Sequence, residues 1–109
     1  MTNQAPRGTT VVPLPYEVDF SNAARAYNRL YTALADGAEV VIADLSGTVF
    51  CDIWALRGLL MLHRQAAVET AQLRLAISAG GQVERVAELM GVDRELNVYA
   101  SVSEAAAAA

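Results

Sequence analysis

Lysine is absent from this sequence, and cysteine, histidine and tryptophan occur once each. A lone Cys51 cannot form an internal disulfide. His63 has no second histidine with which to build a histidine-based metal site, and no Ser or Cys stands out as its partner in a catalytic triad. No apolar run approaches the ~20 residues of a membrane span, and the polar N-terminus lacks the apolar segment of a secretion signal. We therefore expect a cytoplasmic protein with no disulfide, membrane span, metal or other cofactor.

The length and charge narrow the class of protein further. A chain of 109 residues is long enough for one core, which we assign to residues 9–109 after a flexible lead of residues 1–8. The formal charge of −4 has no basic excess, which argues against nucleic-acid binding. The P-loop, HExxH and G-x-S-x-G motifs are absent, and Asp44 with Asp52 is better explained as two capping residues than as an acid/base pair. We expect a protein that is not an enzyme.

Hydrophobic periodicity predicts alternating strands and helices. The segments AEVVIADLSG and AQLRLAISAGG are typical of buried central strands, LNVYAS of a third strand, and residues 9–15, with two prolines, of an edge strand. Helices are predicted after an N-cap at Ser21, from about Ala55 to Val68, from the Val83 region to Gly91, and after a capping box at Ser101. The fold class is α/β, a single domain with a small, mostly parallel sheet and about four helices.

The segment VFCDIWALRGLL, residues 49–60, places Ile53 and Trp54 in a loop before the second helix. Helical rotation puts the core stripe of this helix at Leu56, Leu59, Leu60, His63, Ala66 and Ala67. Trp54, Gly58, Met61 and Gln65 fall on the opposite side, bordered by Arg57 and Arg64. Because Trp, Met and Arg are enriched at protein contacts and Gly permits close approach, this line predicts a docking surface. The alternative is scattered exposed apolar residues of the ordinary kind.

The order and spacing of four segments resemble the STAS domain, the class named for sulfate transporters and anti-sigma factor antagonists. These segments are EVDFSNAARAYNRL, VVIADLSGTVFCD, ALRGLLMLHRQA and GGQVERVAELMGVDRELNVYASVSEA, and the resemblance runs from about Thr10 to Ala107. It implies a STAS-like fold. In that family an Asp is followed by two hydroxyl-bearing residues and a Gly, and one hydroxyl is phosphorylated by a kinase that is also the anti-sigma factor.

Alignment on Asp52 places Ile53 and Trp54 at the two hydroxyl positions and Ala55 at the glycine. Tyr16 likewise stands where the family usually has a glycine. Neither Ile53 nor Trp54 can accept a phosphate, so the family's switch is missing from its expected place. Trp54 would instead contribute a large apolar anchor of the kind that dominates many interfaces.

The resemblance implies an anti-sigma factor antagonist that binds a protein-kinase-like anti-sigma factor or a related regulator. The expected contact residues are Asp19, Asp52, Ile53, Trp54, Arg57, Gly58, Met61 and Gln65. Two other readings stay open. One is a nucleotide- or lipid-sensing module, in which Gly80 and Gly81 before a helix would receive an anion. The other is a structural subunit of a STAS assembly, with self-association as a homodimer through the apolar face.

Overall fold

The computed structural model describes residues 8–108, and most of the predicted N-terminal lead lies outside that range. The strands are β1 Thr9–Pro13, β2 Glu17–Val18, β3 Val40–Leu45, β4 Phe50–Cys51, β5 Gln72–Ile77 and β6 Asn97–Tyr99. The helices are α1 Ala23–Ala35, α2 Ile53–Val68, α3 Gln82–Met90 and α4 Val102–Ala107, with a 3₁₀ turn at Val92–Arg94. The predicted α/β class with four helices is confirmed.

A parallel sheet of order β1-β3-β5-β6 forms the centre of the fold. The apolar segments predicted as central strands, β3 and β5, are the two inner strands, and β1 lies at the edge as its prolines indicated. One face of the sheet packs on α1 and α2, with α3 in the same core cluster beside α2 and β4, and the other face packs on α4. The sequence pattern did not predict β2 and β4, which form a separate two-stranded parallel pair.

Helix ends follow their capping residues. Gly91, in the left-handed conformation at φ 74°, closes α3 as predicted, because a side chain is disfavoured there. The Ser101 side chain accepts the Glu104 amide N–H at 3.0 Å and starts α4. The predicted N-cap at Ser21 is wrong: α1 starts at Ala23 with Asn22 as its cap residue. Asn22 gives no side-chain cap, because its Oδ1 accepts from the Asp19 amide and its amide group donates to the Glu17 carbonyl.

Helix α2 starts two residues earlier than predicted. Asp52 is its N-cap and accepts the Ala55 N–H at 2.8 Å, so Ile53 and Trp54 are the first helical residues and not part of a loop. The core stripe is also rotated: Ala55 is fully buried, whereas Ala67, which the periodicity placed in the core, is exposed. The stripe predicted at Leu56, Leu59 and Ala66 is confirmed.

We expect Leu59→Ala to lower the free energy of unfolding by about 2–5 kcal/mol, because a fully buried side chain is removed and a cavity is left. Leu89→Ala is the matched control: Leu89 is 82% exposed on α3, and its truncation should change stability by less than about 0.5 kcal/mol. Urea denaturation followed by circular dichroism measures both. Equal small effects would show that α2 does not pack as described.

Candidate functional site

Asp52 joins the two loops that carry the predicted contact residues. Its Oδ1 accepts the Ala55 N–H at 2.8 Å and starts α2, while its Oδ2 accepts the Phe20 N–H at 3.1 Å. One carboxylate therefore fixes the loop after β2 against the first turn of α2.

The backbone ties the same two segments together. Residues 16–20 and 49–54 run side by side, with Glu17 opposite Phe50 and Val18 opposite Cys51 in parallel register. The Val49 N–H donates to the Tyr16 carbonyl at 2.8 Å. The Asp52 N–H donates to the Val18 carbonyl at 3.1 Å, which carries the pairing up to the start of α2.

Gln82, which sequence reasoning missed, supports this pair from the other side. Its side-chain amide accepts the Cys51 N–H at 3.0 Å and donates to the Cys51 carbonyl at 3.4 Å. The amide group thus takes the place of a third strand along β4. A glutamine at the start of α3 carries no sequence signal for this role, because its partner lies 31 residues away.

Asp19 organises the loop before α1. Its Oδ1 accepts the Ser21 amide at 2.8 Å and the Ser21 hydroxyl at 2.6 Å. These bonds stabilise the ionised form, so the Ser21 hydroxyl first and the Ser21 backbone N–H second hold the pKa of Asp19 below its usual value. Asp19 therefore shapes the turn that presents Phe20 and Ser21.

Apolar side chains are exposed along both paired segments. We call this group the paired-loop surface; it consists of Tyr16, Phe20, Val49, Phe50, Ile53 and Trp54. Phe20 is 80% exposed, and Trp54 is 62% exposed as predicted. Sequence reasoning identified Ile53 and Trp54 but missed the other four, because the pairing that brings residues 16–20 beside residues 49–54 is a tertiary contact. Such a concentration of large exposed apolar residues is typical of an interaction site.

The predicted line along α2 extends this surface in part. Met61 and Gln65 are exposed, and the Arg57 guanidinium lies over the Trp54 ring at 5.4 Å from its centroid. That cation–π geometry leaves the indole and the positive charge together at the surface. Arg64 differs, because it makes two 2.9 Å hydrogen bonds to the Glu95 carboxylate within the chain.

Gly58 has a different role from the one that its sequence position suggested. A Cβ at this position would lie 2.3 Å from the ring of Tyr27 on α1, so the missing side chain makes room for a contact inside the chain. Tyr27 in turn donates its hydroxyl to the Ala55 carbonyl. Burial raises the pKa of Tyr27, which therefore keeps this proton. Gly58 therefore allows α1 and α2 to pack closely through Tyr27.

The hydroxyl groups near the aligned phosphorylation positions differ in accessibility. Thr48 is buried and donates its Oγ1 proton to the Pro15 carbonyl at 2.8 Å. Ser46 is exposed and donates to Asp44 Oδ1, which also accepts the Ser46 amide. Asp44 thus acts as the strand-end cap that the sequence suggested. Cys51 is also unsuited to nucleophilic chemistry, since burial, with a smaller effect of the Asp52 charge, raises the pKa of its thiol to about 12.

The turn at Gly80 and Gly81 does not support the anion site considered from the sequence. Glu84 Oε1 accepts the Gly80 N–H at 2.7 Å, so a carboxylate of the chain itself occupies the donor that an anion would use. A second negative charge beside Glu84 would be repelled. A ligand-sensing reading therefore needs a different site.

Comparison with known proteins identifies the family. The family model for the STAS domain matches residues 1–105. The chain belongs to the STAS-domain family. No curated protein matched this STAS chain in a sequence search. No helix among residues 8–108 is long and apolar enough to cross a membrane.

Solved structures share the STAS fold at low sequence identity. An anti-sigma factor antagonist from Mycobacterium paratuberculosis matches with a TM-score of 0.81 and 22% identity, over 94% of this chain and 86% of that one. A candidate anti-sigma factor antagonist from Thermotoga maritima matches with a TM-score of 0.75 and 20% identity, over 94% and 87%. A sulfate transporter family protein from Wolinella succinogenes matches with a TM-score of 0.73 and 16% identity, over 96% and 87%. At these identities the likeness establishes the fold.

We expect Asp52→Ala to be less stable than Asp52→Asn by about 0.5–2 kcal/mol, because Asn keeps an N-cap acceptor and Ala does not. Asn cannot offer acceptor oxygens to both Ala55 and Phe20, so both variants should increase amide hydrogen exchange in residues 19–21. Exchange measured by NMR, beside thermal unfolding, separates the two effects. Unchanged exchange in both variants would show that Asp52 does not hold the loop.

Proposed function

We propose that this STAS domain is a non-enzymatic regulatory module of the cytoplasm that binds an anti-sigma factor or a related regulatory protein. The observation that carries the proposal is the paired-loop surface, six large apolar side chains exposed on two segments that Asp52 joins. The likeness in fold to an anti-sigma factor antagonist supports the class of partner. Trp54, with Arg57 over its ring, is the proposed anchor at the centre of the contact.

The proposed partner offers an apolar pocket for Trp54 and a carboxylate close to Arg57. A desolvated indole can contribute several kcal/mol to an interface, and an acidic group beside the guanidinium would be paired on burial. Met61 and Gln65 extend the contact along α2, while Asp19 and Asp52 hold the two segments in position through their hydrogen bonds. Gly58 is excluded from the contact set, because its role is the packing of Tyr27.

The proposed binding is constitutive. Ile53 and Trp54 carry no hydroxyl at the aligned phosphorylation positions, and the buried Thr48 hydroxyl is already donated to Pro15. The amount of this protein, and not a phosphate at the start of α2, would then set how much partner is bound. A structural subunit that self-associates through the same surface is the second reading, and light scattering after size exclusion distinguishes it by a stable dimer mass.

We expect Trp54→Asp to weaken the Kd for an anti-sigma factor of the same organism by more than about fivefold, equivalent to more than ~1 kcal/mol. Thermal stability should hardly change, because Trp54 is exposed and an acidic residue in the first turn of a helix is favourable. Leu89→Asp is the matched control, since Leu89 is an exposed apolar residue near the C-terminal end of α3. Titration calorimetry with purified proteins measures all three Kd values.

Equal Kd values for wild type and Trp54→Asp would rule out Trp54 as the anchor. A lower melting temperature in that variant would show instead that the Trp54 ring packs in the core. If Leu89→Asp weakens binding as much as Trp54→Asp, the loss of affinity comes from the added negative charge in general, and the paired-loop surface is not the docking site.

We expect incubation with an anti-sigma factor of the kinase type and ATP to leave residues 49–60 without phosphate, because that stretch contains no hydroxyl-bearing side chain. Binding should persist in the presence of ATP. Peptide mass spectrometry of the treated protein, with an antagonist that carries the usual serine as positive control, makes the measurement. Phosphate on the exposed Ser46, together with loss of partner binding, would contradict a constitutive module and indicate a displaced switch.

A further inference from the structure

Two arginines on α1 form no ion pair with a carboxylate in the described part of the chain. Arg25 and Arg29 are exposed and lie one helical turn apart, and the ion pairs found among residues 8–108 join only Glu95 with His63 and Arg64. Like charges four residues apart on a helix repel each other by some tenths of a kcal/mol. In a chain of net charge −4, the two arginines are a local concentration of positive charge, and the described residues form no ion pair with either of them.

The two guanidinium groups are arranged differently. Arg29 donates from Nη1 to the Pro13 carbonyl at 3.1 Å, which fixes its head group beside the end of the edge strand β1. Arg25 makes no hydrogen bond to another residue within the described part of the chain. The Arg29 head group is therefore held in place, and the Arg25 head group is free to move toward a bound ligand.

An open cavity lies where these arginines meet the turn before β2. It has a volume of about 580 Å³, and its lining contains no carboxylate: Pro15, Ser21, Asn22, Ala24, Arg25, Ala26 and Arg29. Ser21 brings a hydroxyl to the same wall, at present donated to Asp19 Oδ1 at 2.6 Å. The volume falls within the range of small-molecule sites, roughly 300–1,000 Å³, and exceeds what a bare inorganic ion needs.

We propose that this cavity binds a small soluble molecule bearing a phosphate group, held by Arg25 and Arg29. A guanidinium presents its N–H donors in a planar fork that matches two phosphate oxygens, and a dianion would remove the repulsion between the two arginines. The remaining space receives the polar body of the ligand. The site is separate from the Gly80 turn, where Glu84 already fills the donor position. It does not depend on the proposed function.

The test uses glycerol 3-phosphate and inorganic phosphate as probes, with uncharged glycerol as control, at low ionic strength. NMR titration of the ¹⁵N-labelled full chain should show saturable shifts at Ser21, Ala24 and Arg25 with a Kd below about 1 mM for glycerol 3-phosphate. Arg25→Gln and Arg29→Gln should each weaken that Kd at least fivefold, and the double variant should abolish the shifts. Arg85→Gln, an exposed arginine on α3, should leave the Kd unchanged.

Several results would overturn the proposal. These are no saturable shift with glycerol 3-phosphate, shifts that survive the double variant, or an equal response to uncharged glycerol. If Arg85→Gln weakens the Kd as much as Arg25→Gln does, the binding depends on the overall charge of the protein and not on this cavity. Sedimentation with phosphatidylglycerol vesicles distinguishes a lipid source of the phosphate: vesicle binding without any response to the soluble probes would also contradict it. Arg25→Gln removes no bond within the described chain, so its melting temperature should equal that of wild type and the readout stays interpretable.

Discussion

The carboxylate of Asp52 is the interaction on which the site depends. One oxygen starts α2 through Ala55 N–H and the other holds Phe20 N–H, so a single side chain sets both the first residue of the helix and the position of the neighbouring loop. An N-cap alone would leave the Phe20 end of this segment without its hydrogen bond to the start of α2. The Gln82 amide completes the arrangement by satisfying Cys51 from the opposite side. These polar side chains hold the backbone of both segments, whose apolar side chains are exposed.

The residues that stabilise the fold are separate from those of the paired-loop surface, so that surface can stay exposed without a loss of stability. The core residues of α2 lie on the side that faces the sheet, and Tyr27 packs into the space left by Gly58 to bind α1 to α2. Trp54 and Met61 contribute little to that packing, being exposed by 62% and 61%. The proposed partner binding and the stability of the fold therefore depend on different residues. In the proposed function, Ile53 and Trp54 present this surface to a partner without a hydroxyl that a kinase could modify.

The two proposed sites lie on either side of the same loop. Phe20 belongs to the paired-loop surface, while Ser21 lines the cavity beside Arg25 and Arg29. Asp19 connects them, because it holds the Ser21 hydroxyl and shapes the turn. A ligand that drew the Ser21 hydroxyl away from Asp19 would act on the segment that carries Phe20. The charged groups on the two sides differ in their partners. The carboxylates of Asp19 and Asp52 accept hydrogen bonds from backbone N–H groups, whereas the arginines of α1 form no ion pair with an acidic residue among the described residues.

The sequence by itself determined the fold class, the inner strands β3 and β5, the edge position of β1 and the exposure of Trp54, because periodicity and proline chemistry act over neighbouring residues. It also determined the lack of a hydroxyl after Asp52. Only the tertiary structure decided that Tyr16 and Phe20 join Ile53 and Trp54, that Gln82 supports β4, and that Gly58 serves Tyr27. Each of these depends on a contact between residues about 30 positions apart in the chain, whose geometry no local pattern encodes.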